Sequence, residues 1–518
     1  MSRLSGTGVL TELAVRTDRV RIPVWTVAIV GLTVLVAWSC STTYPTAVAR
    51  QARAGLLSSP AATALAGPGY GLDHYTLGAM VANEVAGMTM VAAAVMSVLL
   101  VARHLRAEEE CGRLELVHTG VVGRYANLTA GLISAALANV FVGLLLVIGL
   151  LAVGLPPVGS LTMSAGVLVV GLVFTAFSAL ASQLTEHART ASGAGIAAIG
   201  VAVALRAVGD VRHEHSGSLL TWVSPLGWSQ ATRAYVDERW WPLLIGLAAS
   251  MVIAACAYAA VDRRDVGSGL FPPRRGHARA APSRAAIAAL AARGLQAQAL
   301  VWGLGVFALS LPLGILGQHG KVLPARTTVD EVSAHHLVIL AGLAAAYAVA
   351  AFTSVSAQES TGTTDEAVAA AGSRTRWFAS HVLIIAGAAA TITLAAGIGS
   401  SLTSAAPIGA ALNVVPALFL MVGLGAAVYG LVPRALPLLW SYLGYVLVAA
   451  LFTHVLPERF GVLSPFHHTP KPPAESLLPP FVLLVSATVL VLAGAAGFRH
   501  RDVGRRQLHT RYRHQAQL

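Results

Sequence analysis

The sequence predicts an all-α polytopic membrane protein with twelve transmembrane helices, arranged as two parallel six-helix repeats. Three observations carry this. Of 518 residues, 56% are hydrophobic and 11% charged, with a mean hydropathy of +0.70, whereas soluble domains are about one quarter charged. That apolar excess exceeds what water-soluble cores hide, since a single core stops growing at roughly 250–300 residues. Apolar, nearly charge-free runs suited to spans of about 20 residues recur along the chain. Short patterns in the first half also return, in order, in the second. A soluble enzyme, a disordered chain and a fibrous repeat are excluded.

The first span covers 22–41. It is no secretory signal, because Arg16, Asp18, Arg19 and Arg21 precede it and no small-residue cleavage pattern closes it. The second covers 85–101, with Glu84 at its start as an outer-rim residue. No charge occurs from Tyr125 to Thr185, and Pro156-Pro157 divides that run into spans near 126–153 and 161–183. The fifth span, 191–205, is the shortest; the sixth covers 241–261. In the second half, spans fall at 299–316 and 337–356. Two more divide the charge-free run 377–433 at the turn 399–407, and the last two cover 436–452 and 477–497. Residues 1–261 thus form the first repeat, 262–283 a linker rich in Arg, Pro and Gly, 284–498 the second repeat, and 499–518 a basic tail.

The net charge of +12 reads as topology, not as nucleic-acid binding. With the N-terminus inside, 25 of the 35 basic residues fall in cytoplasmic segments, which places both termini in the cytoplasm. Cys40, Cys111 and Cys256 are too scattered for a disulfide framework or zinc site.

The repeats align on four patterns. Val24-Trp25 matches Val301-Trp302, and Glu109-Glu110-Cys111-Gly112 matches Glu359-Ser360-Thr361-Gly362. Ser224-Pro225 matches Ser464-Pro465, and Arg264-Asp265-Val266-Gly267 matches Arg501-Asp502-Val503-Gly504. The register offset falls from 277 to 250, 240 and 237, most sharply where the first half carries a long external loop at 42–81. An even number of spans per half makes the repeats parallel. Before each first span lies an apolar face suited to an interfacial helix: Val9, Leu10, Leu13 and Ala14, then Ile287, Leu290 and Leu295.

The chain lacks a phosphate-cradling G-x-x-x-x-G-K-[ST] loop. Its only lysines are Lys321 and Lys471, and Gly320-Lys321 is followed by Val322. Span centres hold no Asp, Glu, Lys or Arg, unlike ion-coupled carriers. Arg206 falls at the edge of the fifth span, and Asn127, Asn139 and Asn413 suit cross-helix hydrogen bonds. His213, Glu214 and His215 read as solvated, not metal-bound. Gly171, Gly193, Gly195, Gly342 and Gly423 suit close helix approach, and Phe174 and Phe177 are candidates for an apolar substrate path between the halves. The unusual feature is the acidic loop after the second span: Glu108, Glu109, Glu110 and Glu115 beside Arg113, a pattern suited to protein docking.

The run 109–115, followed by Val121-Val122-Gly123-Arg124, resembles the E-E-x-G-[RT]-x-E … P-[IV]-[SG]-R loop of ABC-2-type transporter permeases. Together with Ser224-Pro225-Leu226-Gly227-Trp228 and Arg239-Trp240-Trp241-Pro242, it resembles the fused two-repeat actinobacterial exporters of polyketide antibiotics, the tetronasin-type multidrug exporters. The resemblance implies an ABC-2, type V exporter-like architecture and export of hydrophobic drugs. The chain would be a permease without its own ATPase site, with no cofactor or metal of its own and no nucleic-acid partner. Two copies of a separate nucleotide-binding subunit would carry ATP and Mg. It further implies that Glu109, Glu110, Gly112, Arg113 and Glu115 form one coupling helix. Glu359, Gly362, Asp365 and Glu366 would belong to a second. Ser224, Pro225 and Trp228, with Ser464 and Pro465, would form external hairpins before the last span of each half. The second copy departs at Ser360, Thr363 and Asp365, and Gly120 stands near the usual proline, so the two coupling sites are expected to be unequal. A major-facilitator carrier, the alternative, calls for a short basic loop after the second span. A non-transporting scaffold leaves the duplication unexplained.

Overall fold

The computed structural model describes residues 2–112, 122–212, 218–264, 269–270, 287–318, 329–360, 373–403, 409–451, 458–469 and 478–501. Every regular element among them is helical. Among the described residues, eleven helices are long and apolar enough to cross a membrane, so the chain is an all-α polytopic membrane protein. It divides into two compact units, 1–276 and 277–518.

In the first unit, α1 (Thr7–Thr17) precedes α2 (Arg21–Thr43). The loop that follows folds into α3 (Ala47–Leu57) and α4 (Pro60–Ala66). The hydroxyls of Thr46 and Ser59 cap these helices, and Pro60 occupies the first turn of α4. Next come α5 (Leu77–Ala102), α6 (Ala126–Ala152), α7 (Pro157–Leu184) and α8 (Ala188–Arg212). Two short helices, α9 (Leu219–Val223) and α10 (Pro225–Gln230), form a hairpin before α11 (Trp241–Val261). An apolar core of Val85, Met90, Met163, Val167, Phe174 and Ile199 joins α5, α7 and α8.

Two sequence boundaries and one side-chain placement change. Thr76 caps α5 and starts it at Leu77, so Glu84 lies two turns inside a helix instead of at its start. The fifth helix runs from Ala188 to Arg212, which brings Arg206 and Asp210 inside it. Phe174 is 2% exposed within the core cluster and Phe177 is half-buried, so Phe174 packs the unit instead of lining an open path.

The second unit contains α12 (Ile287–Gln318), α13 (Val329–Ser360), α14 (Arg374–Thr403), α15 (Gly409–Asn413), α16 (Val415–Leu431), α17 (Leu436–Leu451) and α18 (Leu478–His500). The interfacial helix expected before its first span is continuous with that span in α12. At the offset of 277, Leu295-Gln296-Ala297 supplies good helix formers where the first unit turns at Asp18-Arg19-Val20. Helix α17 has 16 residues and is not among the eleven.

Gly171, Gly195, Gly342 and Gly423 each face a neighbouring helix where a Cβ would collide with it. Gly193 faces open space and carries no helix contact, contrary to expectation. The tightest approach to a neighbouring backbone joins α16 to α18: a Cβ on Gly430 would stand 2.0 Å from the Gly494 carbonyl oxygen.

Candidate coupling site

Helix α5 does not stop at Ala102. A π-helical turn, Arg103–Ala107, carries it into a last turn, Glu108–Glu110, and Gly112 ends the run at φ +69°. Three carboxylates at a helix C-terminus oppose the helix dipole. Basic partners compensate. The Glu109 side chain is 4% exposed; it accepts from Arg106 at 2.6 Å and from Arg264 at 2.9 and 3.3 Å. Arg264 also donates to the Gln183 side chain at 2.7 Å, and Arg106 to the Ser182 carbonyl. From beyond the loop, Arg124 reaches the carbonyls of Val261 (2.8 Å) and Arg264 (3.3 Å). The ends of α5, α7 and α11 therefore meet at one carboxylate.

Glu110 differs. Its side chain is 38% exposed and accepts from the Ala188 backbone N–H at 3.0 Å, with His187 Nδ1 at the same distance, so it caps the N-terminus of α8. Arg113 and Glu115 lie outside the described residues, as do Gly362, Asp365, Glu366 and the linker pattern 265–268.

The second unit repeats part of this arrangement. Glu359 pairs with Arg501, with both side chains below one fifth exposed. Arg501 also donates to the Tyr429 carbonyl at 2.8 Å and lies over the Tyr429 and Phe498 rings. Arg374 donates to the Arg501 carbonyl at 2.6 Å. These residues match Glu109, Arg264 and Arg124 at the sequence offsets of 250 and 237.

Two further features escaped sequence reasoning. Asp18, fully buried after α1, takes Arg103 and His104 at 2.5 Å and Arg21 at 3.3 Å. Burial alone would raise its carboxyl, but the hydrogen bonds from His104 and Arg103 outweigh it and hold the carboxyl below its ordinary 3.8. At the opposite end of the unit, Arg206 donates to the carbonyls of Ala64 (2.8 Å) and Leu65 (3.1 Å) at the end of α4. Asp210, 3.5 Å from Arg206, accepts from Thr221 in α9 at 2.8 Å. Sequence reasoning placed Arg206 at a span edge because the fifth helix read as short.

The hairpin residues lie at that same opposite end. Ser224 is buried, donates to the Ala202 carbonyl at 2.8 Å and precedes Pro225 in the first turn of α10. Trp228 Nε1 donates to the Trp222 carbonyl at 2.6 Å. Ser464 and Pro465 are also buried and open a short 3-10 turn, Pro465–His468. Glu84 receives a two-pronged pair from Arg53 of α3 at 3.1 and 2.9 Å. After the hairpin, Arg233, Tyr235 and Glu238 all adopt positive φ. Tyr235 sits against Gly78 and Gly159, where any Cβ would collide with its ring, and its hydroxyl meets Ser160 at 2.9 Å. Burial pushes that phenol up to about 12. Asn139 donates to Ser97 at 2.8 Å, a cross-helix bond of the kind its position suggests. His213, Glu214 and His215 lie outside the described residues, among which no group of three or more metal-ligating side chains occurs.

A profile described as "Multidrug efflux system permease Rv1217c, C-terminal domain" matches residues 285–499. The chain is also similar to the "Multidrug efflux system permease protein Rv1217c" of Mycobacterium tuberculosis (strain ATCC 25618 / H37Rv). The two are 35% identical over 534 aligned positions, which cover 97% of this chain and 96% of that protein. With its apolar spanning helices and near full-length match, the chain belongs to the Rv1217c family of multidrug efflux permeases and is a multi-pass membrane protein.

Proposed function

We propose that this chain is the membrane-spanning subunit of an ATP-binding-cassette exporter for hydrophobic drugs or antibiotics. Two copies of a separate ATPase subunit, holding ATP and Mg, would drive it. The reading is carried by one observation: the helix that precedes each loop at 111–115 and 361–366 carries a glutamate in its last turn, Glu109 or Glu359, and each is pinned from inside by an arginine that follows its unit's last span. A turn held rigidly by its own chain, with Glu110 partly exposed beside it, suits docking of a partner that pushes. The relative's name supports efflux. The bias of basic residues supports cytoplasmic termini and puts the acidic turns on the side where ATP is available.

The test is co-expression with an ATPase subunit from the same genome, followed by co-purification and assay of ethidium uptake into inside-out vesicles. Retention of the ATPase and ATP-dependent uptake are expected. Labelling of exposed Cys111 by an impermeant maleimide is expected in inside-out vesicles and not in intact cells. Uptake that needs no ATPase and collapses with the proton gradient would return the secondary-carrier alternative.

A further inference from the structure

We propose that Glu109, Arg264 and Arg124 in the first unit, and Glu359, Arg501 and Arg374 in the second, are matched clamps. Each transmits movement of the acidic turn after the second span to the exit of the sixth. The inference rests on the reading of that turn as the ATPase docking point and names the residues that carry its displacement onward.

Helix α5 and its extension run unbroken from Leu77 to Glu110, a lever of 34 residues. Its tip is joined to the end of α11 by Glu109 and Arg264, with two nitrogen–oxygen contacts at 2.9 and 3.3 Å. Two-pronged charge-assisted bonds fix direction as well as distance. With Glu109 4% and Arg264 12% exposed, the pair has little water to screen it. Arg124, beyond the docking loop, grips the terminal carbonyls of α11, so the exit is held from both sides of that loop. A pair that served only local stability need not recur. Here the carboxylate before the loop, the arginine after it and the arginine beyond the last span recur in the second unit, with the glutamate–arginine pair and the bond to that arginine's carbonyl kept, although Glu110 has become Ser360. These six are positioning residues: they act through the backbone segments they join.

The experiment uses the full chain bound to its ATPase subunit in lipid nanodiscs. Native cysteines are replaced and a single cysteine stands in place of exposed Arg263, beside the clamp. Maleimide labelling at that cysteine is timed with and without ATP plus vanadate. The unclamped variants are E109Q and R264Q; R264K keeps the charge and loses the fork. The expected result is a severalfold ATP-dependent change in rate in the parent, a fall to about onefold in E109Q and R264Q, and partial recovery in R264K. The ATPase subunit should co-purify normally with all three. Should E109Q fail to reach the membrane, E359Q is read in the same way, with the reporter cysteine at Arg499.

An unchanged ATP response in E109Q and R264Q overturns the clamp, as does a parent whose exit never responds to ATP. Loss of ATPase co-purification at normal membrane levels also overturns it, because Glu109 would then be a docking contact. A parent chain that retains no ATPase subunit overturns the functional reading itself, a failure visible before any variant is made.

Discussion

Replacing Arg206 by Met should destabilise the first unit more than any exposed substitution, and removing Asp210 as well should recover part of the loss. Arg206 is 3% exposed and Asp210 is fully buried. With Met at 206, the Ala64 and Leu65 carbonyls lose their donor and Asp210 loses its counter-charge. Breaking one side of a buried pair costs about 3–5 kcal/mol, whereas replacing the whole pair by apolar groups is often close to neutral. The carbonyls at the end of α4 still lack a donor in the double variant, which keeps a penalty of about 1–3 kcal/mol. The second unit shows that the helix tolerates apolar residues here: at the offset set by Ser224 and Ser464, Val446 and Ala450 stand in place of the pair, and both are buried. At roughly 2–4 °C per kcal/mol for a unit of this size, R206M should lower the melting temperature by about 6–20 °C. R206M/D210A should lower it by about half that, since the charge imbalance is gone. The assay is tryptophan fluorescence of the purified chain during heating. R206M melting with the parent, or a double variant melting below the single one, would refute the reasoning.

Gly430→Ala would press a methyl carbon against the Gly494 carbonyl, a backbone atom that no rotamer change can move, and should cost about 1–3 kcal/mol. Gly444→Ala, with nothing within 4 Å, is the control, and equal melting of the two would count against the packing argument. Asp18 has a carboxyl lowered in the folded state, so its stabilisation is fully present above the ordinary 3.8 and is lost as pH falls through the lowered value. Asp18→Asn should therefore be destabilising at pH 7, with a deficit that shrinks below about pH 4; urea titration at several pH values checks this, and a deficit independent of pH would refute it.

The spans were legible because the bilayer imposes them: length, absence of charge and Pro156-Pro157 sufficed to place long helices. The ends were less so. Linear counting stopped the fifth span before Arg206 because a charge normally ends a membrane run, yet the packed α4 carbonyls and Asp210 compensate that charge inside the helix. Tyr235 gave no signal, since nothing local announces that Gly78 and Gly159 leave room for its ring. For the acidic turn, the sequence treats Glu109 and Glu110 alike. Side-chain direction separates them: one is drawn inside by Arg106 and Arg264, while the other stays partly exposed at the start of α8.

The matched positions in the two units bear on which of the two is kept. An inward carboxylate paired with a buried arginine cannot change alone, because the partner would be left charged and desolvated. Glu109 and Glu359 are the same residue at matched positions, and each holds the arginine that follows the last span of its unit. Glu110 caps a backbone N–H at the protein surface, where a lost hydrogen bond is replaced by water, and its counterpart is Ser360. The turn thus combines an inner residue constrained by its own fold with an outer one that is free to vary. Two such turns on one chain keep the same internal linkage while presenting different side chains outward.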